Sequence, residues 1–399
     1  MNQTDNGVHS ARKPVAVVVM GDVARSPRMI NHARELAASG FPAVLIGYRG
    51  RGFEPPAGVR VVALDGGQSA PRDASALRFA LMSGLRMSRL FFALLRTLVR
   101  EKPGAILLQN PPSFPTLTAA TVAARFVGCR VLVDWHNYGF SLLGLRLGKS
   151  HPLTRLARWY EFAAGRRADG HFCVSKAMRD DLKQDAGIRA AVLYDRPWFV
   201  FREDASRHAA AETAACLNVV CPAGWTSDED MEMLVDALEL LPRDSGLRVY
   251  VTGEGPKRVE LVTRLSGLRD KGLLLDTGYV PDEEYWRLIR TADLGLSLHR
   301  SSSGLDLAMK VVDLFGAGVP VCAFDYGGSI GEQVVEGETG FLFRTAEELA
   351  ALLARIGSHP EIPAELRTTV RQRWPPSPFA GSWSEEWRTV VLPVLGDPQ

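Results

Sequence analysis

Short apolar runs alternate with helix-like segments along most of the chain. Runs that are apolar throughout are typical of parallel strands that are buried on both faces of a sheet. Because parallel strands are joined by crossover helices, this pattern predicts an α/β protein with two Rossmann-like, doubly wound domains. The predicted strands cover residues 14–20, 43–48, 59–64, 105–109, 130–135, 171–175, 191–194, 218–222, 247–252, 273–275, 294–298, 320–324 and 340–343.

The alternation breaks once, and the break sets the predicted domain boundaries. Residues 201–216 are rich in Ala and charge and show no periodicity, which is typical of a linker. The length of 399 residues also suits two domains. The predicted division is a disordered tail at 1–13, an N-terminal domain at 14–200, a linker at 201–216, a C-terminal domain at 217–373, and a tail at 374–399 that packs back on the N-terminal domain.

Residues 77–100 are predicted to form one amphipathic helix. At 100° per residue, its five arginines fall within about 80° of one another, beside a face of Leu, Phe and Met. This arrangement is typical of a helix that lies on an anionic membrane, although an ordinary surface helix packed on its own core has the same pattern. The arginines of this stripe are Arg78, Arg86, Arg89, Arg96 and Arg100.

The charge is divided unevenly between the two halves of the chain. Residues 1–200 carry 28 Lys and Arg against 14 Asp and Glu, a net charge of +14. Residues 201–399 carry 19 against 31, a net charge of −12. We therefore expect the N-terminal half to meet an anionic partner, a membrane surface or a phosphorylated molecule, and we expect no nucleic-acid partner.

The cysteines and the apolar runs limit the class of protein. The five cysteines form no C-x-x-C pair, which argues against a disulfide framework or a zinc site and favours a reducing compartment. No stretch of 18 apolar residues is present, so we expect no transmembrane helix. These features predict a cytoplasmic protein that attaches peripherally to the cytoplasmic face of a membrane.

Two loops that follow strands of the N-terminal domain carry candidate catalytic chemistry. Ligands of doubly wound sheets bind beyond the carboxyl ends of the strands, and we expect them in a central cleft that the two domains face. Asp22 ends the first strand, and Asp134 and His136 end the fifth, so each is a candidate general base, although a carboxylate that only caps a turn is the plainer alternative. Candidate acceptor-binding residues beside them are Arg25, Arg28, Trp135, Asn137 and Tyr138.

Loops of the C-terminal domain carry the features of an anion-binding site. Small residues between a strand and a helix let backbone N–H groups approach a phosphate, and Lys310 lies where it can join them. Asp306 and Lys310 are four residues apart, and Asp306 and Asp313 are seven apart, so we expect all three to share one face of a helix. The candidate donor-binding residues are Gly224, Thr226, Gly253, Tyr279, Val280, His299, Ser302, Ser303, Gly304, Leu305, Asp306, Lys310 and Asp313.

At these residues the sequence resembles the β-1,4-mannosyltransferase family of asparagine-linked glycosylation, which transfers mannose from GDP-mannose to chitobiosyl-diphosphodolichol. The matching stretches extend from about residue 15 to residue 345, and it is their combination that is specific. They are GDVARSPRM, VDWHNYGFSLLGL, HPLTRLARWYE, WTSDED, ADLGLSLHRSSSGLDLAMKVVDLFGAGVPV and GETGFLF.

The resemblance implies a GT-B fold and an inverting transfer that requires no metal or other cofactor. It places Asp313 at the ribose of the nucleotide and residues 302–305 at the diphosphate. The chain departs from the usual Glu-x7-Glu pattern, since Leu305 stands at the first acidic position and Asp306 follows it. Eukaryotic members carry an N-terminal transmembrane anchor, whereas no apolar stretch of that length is present in this sequence, which is rich in Ala and Arg. We therefore expect a bacterial homologue that acts on a polyprenyl-diphosphate-linked saccharide.

Two alternatives to this function stay open. The first is a glycosyltransferase of exopolysaccharide assembly that uses another nucleotide sugar. The second is a non-catalytic module that binds nucleotides or lipids with the same fold.

Overall fold

The computed structural model describes residues 12–50, 52–64, 76–197, 216–373 and 383–396. These residues form two compact units. Unit 1 contains the described residues up to Cys173, together with Arg179–Leu193 and the chain from Glu386 onward, and unit 2 contains Val174–Met178 and the described residues from Tyr194 to Glu385. The predicted linker lies outside the described residues except for Cys216.

The sheet of unit 1 has seven parallel strands in the order β3-β2-β1-β4-β5-β6-β7. Its core strand β1 is fully buried from Val15 to Val18, as its unbroken apolar run predicts. The strands are β1 Val15–Asp22, β2 Ala43–Tyr48, β3 Val59–Ala63, β4 Ala105–Asn110, β5 Arg130–Trp135, β6 Gly170–Cys173 and β7 Ala191–Val192.

Helices connect these strands. Ser26 and Pro27 start the first helix, as Pro fits the first helical turn. The helices up to residue 186 are α1 Pro27–Ala38, α2 Ala76–Glu101, α3 Thr116–Val127, α4 Gly139–Leu147, α5 Pro152–Gly165 and α6 Lys176–Ala186, and a short 3-10 helix covers Val23–Arg25.

Unit 2 repeats the design with six parallel strands in the order β10-β9-β8-β11-β12-β13. The strands are β8 Leu217–Pro222, β9 Leu247–Thr252, β10 Leu274–Gly278, β11 Leu294–Ser297, β12 Val321–Phe324 and β13 Gly340–Phe343. The helices are α7 Met231–Leu240, α8 Pro256–Glu260, α9 Val262–Asp270, α10 Asp282–Thr291, α11 Met309–Gly316, α12 Ile330–Gln333, α13 Ala346–Ser358 and α14 Glu361–Arg373.

The prediction of two Rossmann-like units is confirmed, and each predicted strand overlaps an observed one. In each sheet the first three strands extend from the centre to one edge, and the later strands extend from the centre to the other edge. The strand order reverses between β1 and β4 in unit 1 and between β8 and β11 in unit 2. A crevice forms beyond the carboxyl ends at such a point, which makes these two places the expected ligand sites.

Helix α2 has a buried apolar face and an exposed basic face. Leu90, Leu94 and Leu98 are buried on one side. Arg89, Arg96 and Arg100 are exposed on another, and Arg86 is half-buried. The side chain of Arg78 lies outside the described part of the chain. The helix is therefore a core helix of unit 1 that presents a basic stripe to the outside.

The last helix, α15 Trp383–Leu395, returns to unit 1 from Glu386 onward. Trp387, Val391 and Leu395 are buried along one side of it. Arg130 of β5 donates a hydrogen bond to the carbonyl oxygen of Leu395 at 2.8 Å. Residues 374–382, which precede this helix, lie outside the described part.

Candidate functional site

A buried carboxylate organises the carboxyl end of β5 in unit 1. Asp134 is fully buried, and its two oxygens accept hydrogen bonds from three side chains. Arg28 of α1 donates from Nε and Nη2 at 2.7 and 2.8 Å. Nε2 of His32, one turn further along α1, lies 3.0 Å away, and Nε2 of His136 lies 2.9 Å away.

This environment corrects the prediction that Asp134 is itself the base. Burial alone raises the pKa of a carboxyl group, but the charge of Arg28 and the bonds from His136 and His32 outweigh it and hold the pKa of Asp134 well below its usual range. A carboxylate that is saturated with donors and sealed from solvent is a poor proton acceptor. Asp134 instead orients the groups around it.

His136 is the group at this place that can meet a substrate. Its side chain is 19% exposed, whereas Asp134 is sealed. An ionised carboxylate only accepts hydrogen bonds, so the Nε2 of His136 must carry the proton that lies against Asp134. In the neutral imidazole, Nδ1 is then the unprotonated nitrogen. This is the tautomer that a general base requires, held by a carboxylate as in other acid–base dyads.

A second buried carboxylate, which the sequence analysis missed, braces the loop that carries His136. Glu161 of α5 accepts a hydrogen bond from Nδ2 of Asn110 at 2.6 Å. It also accepts the backbone N–H groups of Gly139 and Phe140, the first residues of α4, at 2.9 and 3.0 Å. The carbonyl oxygen of Asn110 in turn accepts the N–H of His136 at 2.8 Å. Asn110 thus holds the N–H of His136, and Glu161 holds both Asn110 and the start of α4.

Three predicted acceptor-binding residues are buried, which corrects their assignment. Trp135 is fully buried, and its indole donates to His171, so its ring offers no face to a sugar. Tyr138 is 2% exposed and donates its hydroxyl to Asp181. Arg28 is 3% exposed and is held by Asp134 and by the carbonyl oxygen of Leu193.

The other candidates of this unit are accessible. Arg25 is exposed and Asn137 is half-buried. The half-buried carboxylate of Asp22 caps the 3-10 helix by accepting the N–H of Ala24 at 3.0 Å. Asp22 stays a prediction as a base, and Arg25 and Asn137 stay predictions as acceptor-binding residues.

In unit 2, the predicted donor-binding residues gather at the carboxyl ends of β8 to β11. Gly224 and Thr226 follow β8, and Gly253 follows β9. Gly253 adopts a positive φ of 89°, and a Cβ atom there would lie 1.8 Å from the carbonyl oxygen of Ala223. Only glycine lets these two loops approach each other so closely. Tyr279 and Val280 follow β10, and the side chain of Tyr279 is exposed.

Lys310 is held by a glutamate that the sequence analysis did not select. Its Nζ contacts the Oε1 of Glu229, which is buried. The other oxygen of Glu229 accepts the N–H of Gly224 at 2.7 Å. Burial lowers the pKa of Lys310. Glu229 therefore fixes the ammonium group beside the loop that follows β8.

Asp306 does not lie on the helix with Lys310 and Asp313, contrary to the predicted shared face. Helix α11 begins at Met309, and Asp306 belongs to the loop before it. Its carboxylate accepts from Nε2 of His299 at 3.0 Å and contacts the hydroxyl of Ser301. The helix starts later than predicted because the polar groups of the loop bond to one another. Asp306 thus closes the loop.

Serine hydroxyls occupy two of the N–H groups that were expected to face a phosphate. The N–H of Gly304 donates to Ser301 at 2.7 Å, and that of Leu305 donates to Ser303 at 3.2 Å. The carbonyl oxygen of Leu305 accepts the hydroxyl of Ser175 at 2.6 Å. This loop is preorganised by its own side chains, with Ser302 at its half-exposed tip.

Asp313 lies one turn after Lys310 on α11, close to Tyr285. The hydroxyl of Tyr285 donates to it at 3.3 Å. Burial raises the pKa of Asp313 to about 7, and the hydrogen bond from Tyr285 and the charge of Lys310 offset only part of this effect. The carboxyl group therefore changes its charge near neutral pH, which affects any ligand that it binds.

Within the described ranges, no group of three or more His, Cys, Asp or Glu side chains is arranged to hold a metal ion. Among the described helices, none combines the length and the apolar character that are needed to cross a bilayer.

Both halves of the chain match glycosyltransferase family models. Residues 27–194 match the glycosyl transferase 4-like domain, and residues 217–359 match the glycosyl transferases group 1. Among solved structures, Alr3699/HepE of Anabaena in complex with UDP superimposes with a TM-score of 0.65 at 15% identity, covering 94% of this chain and 98% of that one. This likeness concerns the fold, which is the GT-B fold.

Two curated glycosyltransferases are similar to this chain over nearly its whole length. The chitobiosyldiphosphodolichol beta-mannosyltransferase of Mus musculus is 35% identical, over 96% of this chain and 89% of its own length. The UDP-glycosyltransferase TURAN of Arabidopsis thaliana is 30% identical, over 96% and 97%. Since the match covers nearly the full length of this chain and most of the mouse enzyme, this protein is a glycosyltransferase that belongs to the chitobiosyldiphosphodolichol β-mannosyltransferase family.

Proposed function

We propose that the protein transfers mannose from GDP-mannose to a polyprenyl-diphosphate-linked saccharide, with inversion at the anomeric carbon. The observation that carries this proposal is the pair formed by Asp134 and His136 in unit 1. A sugar hydroxyl is a weak nucleophile until a base takes its proton, and His136 offers an unprotonated Nδ1 for that purpose. The family of the chain supports the choice of mannose.

In the proposed reaction, Nδ1 of His136 takes the proton of the acceptor hydroxyl. The hydroxyl oxygen forms a bond to the anomeric carbon of mannose, and the bond from that carbon to the diphosphate breaks. The electron pair of the broken bond leaves with GDP. Because the α-linked diphosphate is displaced from the opposite face, the product is a β-mannoside.

The donor is proposed to bind at the residues gathered beyond β8 to β11. Lys310 supplies positive charge for the diphosphate, where negative charge grows as GDP leaves. Asp313 accepts hydrogen bonds from the ribose hydroxyls, and Tyr285 orients it. Glu229 holds Lys310 in place before the donor binds, and Asp306 does the same for the loop that contains Ser301, through its contact with His299.

A donor panel tests this function. Purified protein is incubated with a short-chain diphospho-lipid saccharide and with GDP-mannose, GDP-glucose, UDP-glucose or UDP-N-acetylglucosamine, and both the released nucleotide and the lipid product are measured. We expect transfer from GDP-mannose and a product that a β-mannosidase cleaves. Transfer from a UDP-sugar alone would favour the alternative donor, since TURAN is named a UDP-glycosyltransferase and HepE forms a complex with UDP. Neither transfer nor hydrolysis would favour a non-catalytic binding module.

The titration of Asp313 predicts a pH-dependent donor affinity. An ionised carboxylate accepts hydrogen bonds more strongly than a neutral carboxyl group does, so binding strengthens as the pH rises through about 7. Between pH 6 and pH 8 we expect the affinity for GDP-mannose to rise roughly 5- to 10-fold, measured by titration calorimetry. The Asp313→Asn variant should bind more weakly at pH 8 and show little pH dependence. An equal pH dependence in both proteins would contradict the role of Asp313.

The proposed acceptor is anchored in a membrane, and unit 1 has a surface that suits one. Helices α4 and α5 form a hairpin that exposes six large apolar side chains. Residues 140–160, which contain them, include four Lys or Arg and no Asp or Glu. A contiguous apolar patch flanked by positive charge fits the surface of an anionic bilayer. The exposed apolar residues are Leu142, Leu145, Leu147, Leu153, Leu156 and Trp159.

We therefore propose that this hairpin, together with the arginine stripe of α2, attaches the enzyme peripherally to the cytoplasmic face of a membrane. Polybasic attraction adds about 1 kcal/mol per Lys or Arg near an anionic surface, and burial of apolar side chains adds to it. Attachment of this kind is reversible and weakens at high salt.

Flotation with liposomes measures this attachment. We expect binding to vesicles that contain phosphatidylglycerol and weak binding to pure phosphatidylcholine. Changing Leu145, Leu156 and Trp159 to Ser should reduce the bound fraction roughly tenfold or more, because each loses apolar area that the bilayer covers. Val259→Ser, at an exposed apolar position of unit 2, is the control and should float like the wild type. Equal binding to neutral vesicles would count against the electrostatic part, and an unaffected hairpin variant would count against this surface.

A further inference from the structure

The backbone that leads into α11 is held by its carbonyl oxygens. Four of the five carbonyl oxygens of residues 304–308 accept hydrogen bonds from residues of unit 2 that lie outside this segment. The pairs are Gly304 with the N–H of Ser329 at 3.0 Å, Leu305 with the hydroxyl of Ser175 at 2.6 Å, Asp306 with the hydroxyls of Tyr326 and Ser329 at 2.8 and 2.7 Å, and Ala308 with Nε2 of Gln333 at 3.1 Å.

Most of these donors follow β12. Ser329 and Gln333 are buried, and Tyr326 is half-buried. The side-chain amide of Gln333 pairs twice with Ala308, since its Oε1 also accepts the N–H of Ala308 at 3.2 Å. The carbonyl oxygen of Asp306 accepts two hydroxyl groups at once. The stretch after β12 therefore sets the orientation of several successive peptide groups before α11.

The orientation of these peptide groups matters for an anionic ligand. The carbonyl oxygen is the negative end of the peptide dipole, so a carbonyl that faces a phosphate repels it, whereas an N–H attracts it. Residues 304–308 lead directly to Lys310, the proposed partner of the donor diphosphate. A carbonyl that is bonded to a structural donor is not free to turn toward that ligand.

We propose that Tyr326 and Ser329 are positioning residues for the diphosphate of the donor. Their hydroxyl groups fix the carbonyl oxygen of Asp306, so the peptide group between residues 306 and 307 keeps its negative end away from the diphosphate. Without these hydroxyls, ligand binding has to supply the free energy that orders this peptide group, and affinity falls. The inference rests on the donor site proposed above.

Removal of the two hydroxyls tests this proposal. Tyr326→Phe and Ser329→Ala are made singly and together, and titration calorimetry measures the binding of GDP and of inorganic pyrophosphate. We expect each single variant to lose roughly 2- to 3-fold in affinity for both, because one hydroxyl still holds the carbonyl oxygen of Asp306. The double variant should lose roughly 10-fold or more, since a carbonyl group then lacks both of its donors.

Two controls separate this role from general damage to unit 2. Guanosine lacks phosphate, so its affinity, measured by ligand-observed NMR, should be the same in the double variant and in the wild type. Ser358→Ala removes another hydroxyl that donates to a backbone carbonyl of unit 2, that of Ala354 in α13, and should bind pyrophosphate like the wild type.

A matched pair of glycine variants tests the same backbone by a steric route. At Gly328 φ is 58°, and an added Cβ would lie 1.8 Å from the carbonyl oxygen of Gly304, so Gly328→Ala must displace that carbonyl. At Gly327 φ is 74°, but an added Cβ would meet nothing within 4 Å. Both variants strain the backbone, and only Gly328→Ala should lose roughly 10-fold or more in pyrophosphate affinity.

The outcomes distinguish this inference from the proposed function. A double variant that binds pyrophosphate as tightly as the wild type, or that loses guanosine to the same extent, would contradict the positioning role of Tyr326 and Ser329. Binding of UDP in place of GDP, with the same loss in the double variant, would change the proposed donor and support the positioning role. A wild-type protein that binds no nucleoside diphosphate and no pyrophosphate would overturn both proposals.

Discussion

Replacement of His136 with Gln is expected to lower kcat roughly 10²- to 10⁴-fold, the usual contribution of a positioned general base. Gln is close in size to His and can still donate to Asp134, so the loop that Glu161 and Asn110 brace should keep its conformation. What the variant loses is the nitrogen that takes the proton.

The measurement is steady-state transfer from GDP-mannose across pH 5 to 9, with donor binding determined separately by calorimetry. Donor affinity should match the wild type, since His136 belongs to unit 1 and the donor residues to unit 2. His359→Gln, which changes an exposed histidine of unit 2, serves as the matched control and should retain full activity. A loss of activity in Asp22→Asn but not in His136→Gln would transfer the role of base to Asp22.

Replacement of Arg28 with Met is expected to destabilise unit 1 by about 3–5 kcal/mol, the usual cost of leaving one partner of a buried ion pair alone. Arg28 and Asp134 are both buried, and the guanidinium donates two hydrogen bonds to the carboxylate and one to the carbonyl oxygen of Leu193. Met preserves the length of the side chain, so the loss concerns charge and hydrogen bonding. Asp134 would then either take up a proton or become exposed to water by local unfolding.

Differential scanning calorimetry measures this effect in the full chain. If GDP-mannose binds unit 2 as proposed, it should shift the transition of that unit, and the other transition is then that of unit 1. Arg25→Met, at an exposed position three residues before Arg28, should change stability by less than about 0.5 kcal/mol. Adding Asp134→Asn to Arg28→Met should recover part of the loss, because no buried charge then lacks a partner. An Arg28→Met protein as stable as the wild type would show that the ion pair does not hold unit 1 together.

The chain pattern was sufficient for the architecture. Apolar runs that are long enough for a strand and bounded by Gly, Pro or charged residues located the strands of both sheets, because parallel strands are buried on both faces and carry this pattern locally. The positions of Asp134, His136, Lys310 and Asp313 at strand ends and helix starts were also evident from the sequence. Connection rules then placed them at one edge of each sheet.

The sequence could not assign roles to these residues, because the roles depend on burial and on partners distant in the chain. His32 and Arg28 are four residues apart on α1 and share one face of it, but their spacing alone does not show that this face is buried. Glu161 and Glu229 gave no local signal of burial, since an isolated glutamate on a helix or in an acidic run is usually exposed. Their partners, Asn110 and Lys310, lie 51 and 81 residues away.

Asp134 shows most clearly what each level determined. The sequence by itself determined that a carboxylate and a histidine stand at the carboxyl end of β5, at the edge of the sheet where such a fold binds its ligands. Only the tertiary structure decided that the carboxylate is sealed by Arg28 and His32 while the histidine remains accessible. The reason is physical: proton affinity depends on desolvation and on charges a few ångströms away, and both come from elements that only folding brings together.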